Sequence, residues 1–420
     1  MTDSRDPASS SGGGERAIWV LIAGVFALGV LSFVTSFGGG TDSAAASNDN
    51  PGSEDGSDQA EGGEDGLADD GTAIAGESTT PTPSGAADSF TISASGDILI
   101  HERVAEAAAA ADGGYDFDPL FAPVQNLIAS RDFAICHLEV PISSTNDDLS
   151  FSEGVFRAPS ELADALRNAG FDSCSVASNH SWDSGEASVI STIEQLQRVG
   201  LPHVGIANTA EESTRSWQFD VRGNIVGHLS YTFGLNGREP GEVPAERVAQ
   251  IDEQRILADA AQQRANGSEF VIVSMHWGTE FQNAPDDQQV DLGPRLLASP
   301  DIDLIIGHHA HVPQPVVAID GEYIAYGLGN LLSNQAQGIP ECPTLCPLDS
   351  QDGVLLDFVV ERRDDGTLGV AEVIANPTWV DNRNTWRIIS TDAPTAIGAE
   401  VETAVLEASG QRTRGSLAIQ

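Results

Sequence analysis

Five short segments, each at the end of a run that reads as a strand, carry the side chains that could do chemistry. They are Gly96-Asp97, His137-Leu138-Glu139, Asn179-His180 with Asp183, His276, and His308-His309-Ala310-His311. Taken singly, each has an ordinary explanation. A Gly-Asp pair makes a turn, an Asn-His pair caps a helix, and a lone buried His is a hydrogen-bonded core group. Three histidines within four positions are rarer, and imidazole suits zinc, iron and manganese. Together the segments offer carboxylate, amide and imidazole donors, the mixed oxygen and nitrogen shell that divalent ions need. Two ions about 3.5–4 Å apart can activate a hydroxide and clamp a leaving oxygen. A further segment, Gly327-Leu-Gly-Asn330, lets backbone approach the site closely and makes Asn330 a candidate substrate contact.

Strand ends are where open α/β folds place their sites, so the elements around these segments matter. Short β-rich runs at 90–95, 134–140, 173–177, 270–275, 302–306 and 323–326 predict strands. Between them, the segment opened by Ser160 and closed by Gly170 predicts a helix, as do 185–199, 252–265 and 288–298. The tail adds strands near 354–360 and 368–374, then a helix around 396–407. Strands that cross over through helices predict a layered α/β architecture.

The motifs and their order then become recognisable. Ser95-Gly-Asp-Ile-Leu99, His137-Leu-Glu-Val-Pro141, Ala177-Ser-Asn-His-Ser-Trp-Asp-Ser-Gly185, His276-Trp-Gly278, Gly307-His-His-Ala-His-Val-Pro-Gln-Pro315 and Tyr326-Gly-Leu-Gly-Asn330 resemble the successive signatures of the CapA family of poly-gamma-glutamate capsule synthesis proteins. The resemblance covers about residues 90–334. It implies a calcineurin-like metallophosphoesterase sandwich of two mixed sheets flanked by helices. It also implies one or two divalent ions (Mn, Fe or Zn) near Asp97, Glu139, Asn179, His276 and His309 or His311. By the same resemblance His180 is the acid that meets the leaving group and Asp183 orients it. His137, Ser178 and Ala310 stand where the family usually has Asn, Asn and Pro. His137 is either a further ligand or a structural residue. The Asp-x-His opening of phosphoesterases at large is absent, because Asp97 is followed by Ile98 and Leu99.

Ahead of this region, 18–37 is 20 residues without a charge, long enough to cross the roughly 30 Å core of a bilayer as a helix. Arg5 and Arg16 precede it, which keeps 1–17 in the cytoplasm and sends 90–420 to the outer face of the cell membrane. A cleaved signal peptide is the competing reading, with Ala44-Ala45-Ala46 as the processing site. Residues 38–89 have the Gly-, Ser- and acid-rich composition of a disordered spacer. The net charge is −43 and no residue is lysine, which argues against nucleic acid as a partner. An acidic surface also repels a polyanion unless cations or salt intervene. Cys136 and Cys174 read as plain core residues, and Cys342 and Cys346 as a local disulfide.

The functional expectation is synthesis or export of an anionic capsule polymer such as poly-gamma-glutamate, alongside other capsule-synthesis membrane proteins. A metal-dependent phosphoesterase or amide hydrolase on another extracellular substrate is the alternative, and a non-catalytic scaffold is a third reading.

Overall fold

The computed structural model describes residues 86–419, apart from 153, 240, 340, 341, 343, 344 and 394–400. The apolar span at 18–37 and nearly all of the acidic spacer lie outside these residues. Among the described residues, no helix is long and apolar enough to cross a membrane.

In chain order the strands are β1 Ser89–Ile98, β2 Phe133–Leu138, β3 Ser150–Ser152, β4 Val155–Arg157, β5 Ser173–Ser175, β6 His203–Val204, β7 Gln218–Val221, β8 Asn224–Thr232, β9 Phe270–His276, β10 Leu304–His308, β11 Val316–Ile319, β12 Glu322–Ala325, β13 Asn330–Leu332, β14 Asp352–Arg362, β15 Leu368–Val380 and β16 Ile388–Ser390. The α-helices are α1 Glu102–Ala107, α2 Asp118–Phe121, α3 Gln125–Ala129, α4 Glu161–Ala169, α5 Glu186–Arg198, α6 Ala210–Ser213, α7 Glu253–Ala265, α8 Asp287–Leu297 and α9 Thr403–Leu417. One mixed sheet runs β16-β15-β14-β1-β2-β5-β6, with β13 also paired to β1; a second runs β11-β12-β10-β9-β8-β7. The middle of each is parallel: β1, β2, β5 and β6 in the first, and β8, β9, β10 and β12 in the second. The tail strands complete the first sheet on its antiparallel side.

Successive strand residues face opposite ways, and that alternation sorts the core into layers. Phe90, Ile92 and Ala94 of β1, Phe133 and Ile135 of β2, Phe270 and Ile272 of β9, and Leu304 and Ile306 of β10 pack together between the two sheets. Their alternates pack outward. Cys136 and Leu138 meet the helices α4 and α5. Val271, Val273 and Ile305 meet α7 and α8. Each fully buried side chain of this size contributes about 1.5–3 kcal/mol relative to exposure. The expected sandwich of two mixed sheets between helices is therefore what the residues form.

Four local expectations change. Ser160 precedes α4 without a side-chain cap, although Gly170 closes the helix at φ 102° as read. The tail helix, α9, begins at Thr403 and so later than 396. Asp97 lies within β1 rather than after it, because pairing to β2 and β13 continues through it. Cys136 and Cys174 are buried but bridged to each other, since the register of β2 and β5 sets them side by side. Cys342 and Cys346 form the local disulfide expected of them.

The first sheet carries one irregularity that positions chemistry. Ala94 is opposite Ile135 and Asp97 is opposite His137, so three steps along β1 match two along β2. This bulge reverses the alternation and brings Asp97 to the inner face that Ala94 occupied. Gly96 makes it possible. A Cβ there would lie 2.3 Å from the Gly329 carbonyl oxygen. Gly96→Ala should therefore cost about 1–3 kcal/mol by overpacking, read by urea or thermal unfolding. An unfolding curve identical to that of the natural protein would refute the close approach of Gly96 to the Gly329 carbonyl.

Candidate metal centre

The same alternation that buries Ile135, Ile272 and Ile306 between the sheets puts His137, His276 and His308 there as well, at the C-terminal ends of β2, β9 and β10. The bulge delivers Asp97 beside them. His308 Nδ1 lies 3.2 Å from Asp97 Oδ1, and the His308 ring stacks on His137 with centroids 3.9 Å apart. The turn after β10 then folds back sharply, with His309 at φ 85° and His311 at φ 56°. A non-glycine residue in the left-handed region costs about 1–3 kcal/mol and persists only where its surroundings hold it. Asp97 holds both: its Oδ2 accepts from His309 N at 3.1 Å and lies 3.1 Å from His311 Nδ1.

Two donor groups result, Asp97–His137–His308 and Glu139–His309–His311, and within each the ligand atoms lie within 4.8 Å of one another. His276 joins them. Its Nδ1 is 2.9 Å from His137 Nε2, and its Nε2 is 2.8 Å from Asn179 Oδ1 and 3.9 Å from Glu139 Oε1. The donor set fits a cation on one observation above others. Asp97 Oδ1, both Glu139 carboxylate oxygens, both ring nitrogens of His308 and His309 Nδ1 are buried without a hydrogen-bond partner. Each such group costs about 1–3 kcal/mol, more if charged, unless something pairs with it. A divalent ion held by oxygen and nitrogen donors would compensate them together.

Asp97, Glu139, Asn179, His276, His309 and His311 thus come together around one inter-sheet space. His180 and Asp183 stand at its edge, with His180 Nδ1 2.8 Å from Asp183 Oδ2, an oxygen that also accepts from Phe156 N at 2.7 Å. Asn330 takes a different place from the one expected. It is fully buried, its Oδ1 lies 3.0 Å from His311 Nδ1, and its Nδ2 donates to Ser350 O and Gln335 Oε1. With its amide spent in this way it positions His311, directing Nδ1–H toward Asn330 and Asp97 and leaving Nε2 toward Glu139. His308, read with His309 and His311 as a metal candidate, was not among the ligands the resemblance implied, though its alternation with Leu304 and Ile306 was a further signal. Two neighbours had none. Asn236 accepts from Asn179 Nδ2 at 3.3 Å and sets its own Nδ2 3.4 Å from the His180 ring nitrogens. Phe233, 45% exposed, lies over His309 at 4.7 Å between ring centroids.

Burial alone would raise the Asp97 pKa, but the His308 and His311 imidazoles beside the carboxyl outweigh it and hold it well below its usual range. Burial, reinforced by neighbouring imidazoles, lowers His137 and His276, and it takes His309 to about 3. These three are neutral and able to coordinate. His311 and Glu139 compete for a proton. Burial favours it on Glu139, whereas the Glu139 and Asp97 carboxylates raise His311 to about 10 against the burial that would lower it. An ion bound here must expel that proton. Metal affinity should therefore rise with pH and fall as pH drops, with about one proton released per ion at neutral pH. Calorimetry of Mn²⁺ binding in buffers of different ionisation enthalpy measures it, and zero proton release would refute the arrangement. Asp97→Asn and Glu139→Gln should each lower the divalent metal per chain found by elemental analysis.

The description "Bacterial capsule synthesis protein PGA_cap" belongs to a family model that matches residues 91–335. Among curated proteins the chain is similar to the PGA biosynthesis protein CapA of Bacillus subtilis, 26% identical over 229 residues, covering 52% of this chain and 57% of that protein. It is also similar to the capsule biosynthesis protein CapA of Bacillus anthracis, 24% identical over 268 residues, covering 62% and 63%. A probable polyglutamine synthesis accessory protein of Mycobacterium tuberculosis is 28% identical over 222 residues, covering 49% and 56%. The chain spans somewhat over half the length of these curated relatives. Among solved structures, the calcineurin-like phosphoesterase YfkN of Bacillus subtilis gives a TM-score of 0.44 at 13% identity, covering 77% of this chain and 97% of that one. A 5′-nucleotidase precursor of Thermus thermophilus gives 0.42 at 12%, covering 78% and 58%. Likenesses at that level carry no inference about ligand or reaction. The family match, which extends over more than half of the sequence, does decide membership: the chain belongs to the bacterial capsule synthesis protein family.

Proposed function

We propose that this protein is a divalent-metal-dependent hydrolase at the outer face of the cell membrane, acting in the synthesis or export of an anionic capsule polymer such as poly-gamma-glutamate. The observation that carries the catalytic part is the pair of uncompensated donor groups with a hydrogen-bonded His–Asp pair at their edge. Family membership supports the capsule part. The apolar span at 18–37 supports the membrane part, and other capsule-synthesis membrane proteins are the partners this placement suggests.

A bound divalent ion would supply a Lewis acid and a hydroxide formed near neutral pH. The chain's own residues supply the proton. With His180 Nδ1–H donated to Asp183, the proton that can move is the one on Nε2. Phe156 packs edge-on against the His180 ring at 4.8 Å and fixes its plane. His180 is 7% exposed, so it reaches the site from a position mostly closed to bulk water. In that position Nε2 meets the leaving nitrogen of an amide or the leaving oxygen of a phosphoester. Asn236, beside both ring nitrogens, restricts the ring from the solvent side.

The whole protein, loaded in turn with Mn²⁺, Fe²⁺ or Zn²⁺, should hydrolyse either γ-linked glutamate oligomers or a generic phosphodiester, and the preferred bond says which hydrolase it is. His180→Gln should lower kcat by about 10²–10⁴ with metal content unchanged, as loss of a general acid does. A fully metal-loaded protein that turns over neither substrate would leave the scaffold reading in place of catalysis.

A further inference from the structure

Beyond Gly227 the outer edge of β8 loses its neighbour, because β7 pairs with it only that far. Single contacts take over: His228 N donates to Trp217 O at 3.2 Å, and Thr232 N donates to Ala249 O at 2.9 Å. Main-chain groups of every second strand residue point to the same edge, so Ser230, midway between these two, turns its N–H and C=O to that side. A partly enclosed cavity of about 50 Å³ lies there, lined by Ser230, Trp217 and Ala249. The Ser230 side chain is buried, and its hydroxyl has no hydrogen-bond partner. A polar atom so placed is normally paired with protein, water or ligand. Gly205, which follows β6 and lines the same cavity, leaves the hydroxyl its room, since a Cβ there would lie 2.9 Å from Ser230 Oγ.

Two opposite charges line this cavity without pairing. The Arg215 guanidinium lies over the Trp217 indole, 4.0 Å from the ring centroid. Stacking of this kind holds the planar fork in place and leaves its N–H edges available to a carboxylate. Glu246 lines the same cavity and is half-buried. Among the described residues neither Arg215 nor Glu246 has an ion-pair partner. The other charges of the lining are already engaged. Arg255 pairs with Asp259 at 3.4 Å, the Asp259 Oδ2 also accepts from Tyr231 Oη at 2.8 Å, and Glu212 Oε2 accepts from Asn208 N at 2.7 Å. None of the metal donors lines the cavity, so it is separate from the centre described above.

We propose that this cavity is a binding site for the head group of a free α-amino acid. The ligand's carboxylate meets the Arg215 guanidinium and the Ser230 N–H and hydroxyl, and its ammonium meets Glu246. A molecule bearing both charges compensates both walls, whereas a plain anion is repelled by Glu246 and a plain cation by Arg215. Size agrees with this. One water-sized group needs about 10–15 Å³ of such space, so the cavity holds roughly four, and an amine, an α-carbon and a carboxylate make a group of that size. So small a volume takes the head group alone, which leaves the side chain outside and lets the site accept more than one amino acid. The proposal depends neither on the metal centre nor on the capsule reading.

Calorimetric titration of the whole, metal-loaded protein with glycine and with glutamate tests it. Both should bind with a Kd of about 1 mM or tighter, and acetate and methylammonium, which carry one charge each, about tenfold more weakly. Arg215→Gln and Glu246→Gln should each weaken glycine binding about tenfold, and Glu246→Gln should also abolish the preference for glycine over acetate. Arg215 is exposed and Glu246 half-buried, so the melting curve and the metal per chain should stay as in the natural protein. Amino acids also chelate divalent ions, so the titration is repeated on Asp97→Asn, where glycine should bind as before. Glycine binding that is lost in Asp97→Asn and kept in Arg215→Gln would put the ligand at the metal centre and overturn the site. Unchanged glycine affinity in both folded cavity variants overturns it as well, and so does a natural protein that binds neither amino acid. Acetate bound by the natural protein as tightly as glycine, a comparison that needs no variant, overturns the amino-acid assignment.

Discussion

Asp97 is the group against which the other site residues are arranged. Its carboxylate faces His308 Nδ1, receives the His309 N–H and lies against His311 Nδ1. It can do this only because the bulge in β1 turns it from the helix-covered face of the sheet to the space between sheets. The bulge in turn requires Gly96, since the Gly329 carbonyl occupies the place of a Cβ. Remove the bulge and Asp97 points away from the histidines. The two left-handed histidines of the following turn would then lose the acceptor that holds them.

The cluster is expensive for the fold as it stands. Buried carboxylate oxygens and ring nitrogens without partners lie where apolar side chains would otherwise fill the inter-sheet core. Proteins retain such groups where they bind or react, because low polarity around the site strengthens each electrostatic contact made inside it. The layers around the cluster are apolar on both faces of both sheets, which gives the rigidity that a multi-donor site demands. Second-layer hydrogen bonds complete it. Asn330 orients His311, Ser175 Oγ lies 2.8 Å from His137 Nδ1, and Asn236 bridges Asn179 and His180.

The strongly acidic composition keeps a solvated surface and disfavours polyanions at a distance. Loops 330–335 and 381–387 are joined through hydrogen bonds rather than through sequence proximity.

Much of this was legible in the residues themselves. Apolar alternation located the central strands, Gly170 closed its helix, and the motif order at 97, 137–139, 179–183, 276 and 308–311 named most of the donors, since each strand end is a local pattern. Three things were decided only by tertiary structure. The Cys136–Cys174 bridge depends on the register of two strands far apart in the chain, which no spacing encodes. The grouping of His137 and His308 with Asp97 depends on two sheets packing face to face, so that alternations belonging to separate strands converge. The role of Asn330 depends on its complete burial, which depends on everything packed around it. A sequence specifies donor types and local geometry through short-range sterics and alternation. Which donors share an ion, and which of them only hold others in place, is set by contacts between distant segments that exist only once the two sheets have closed on each other.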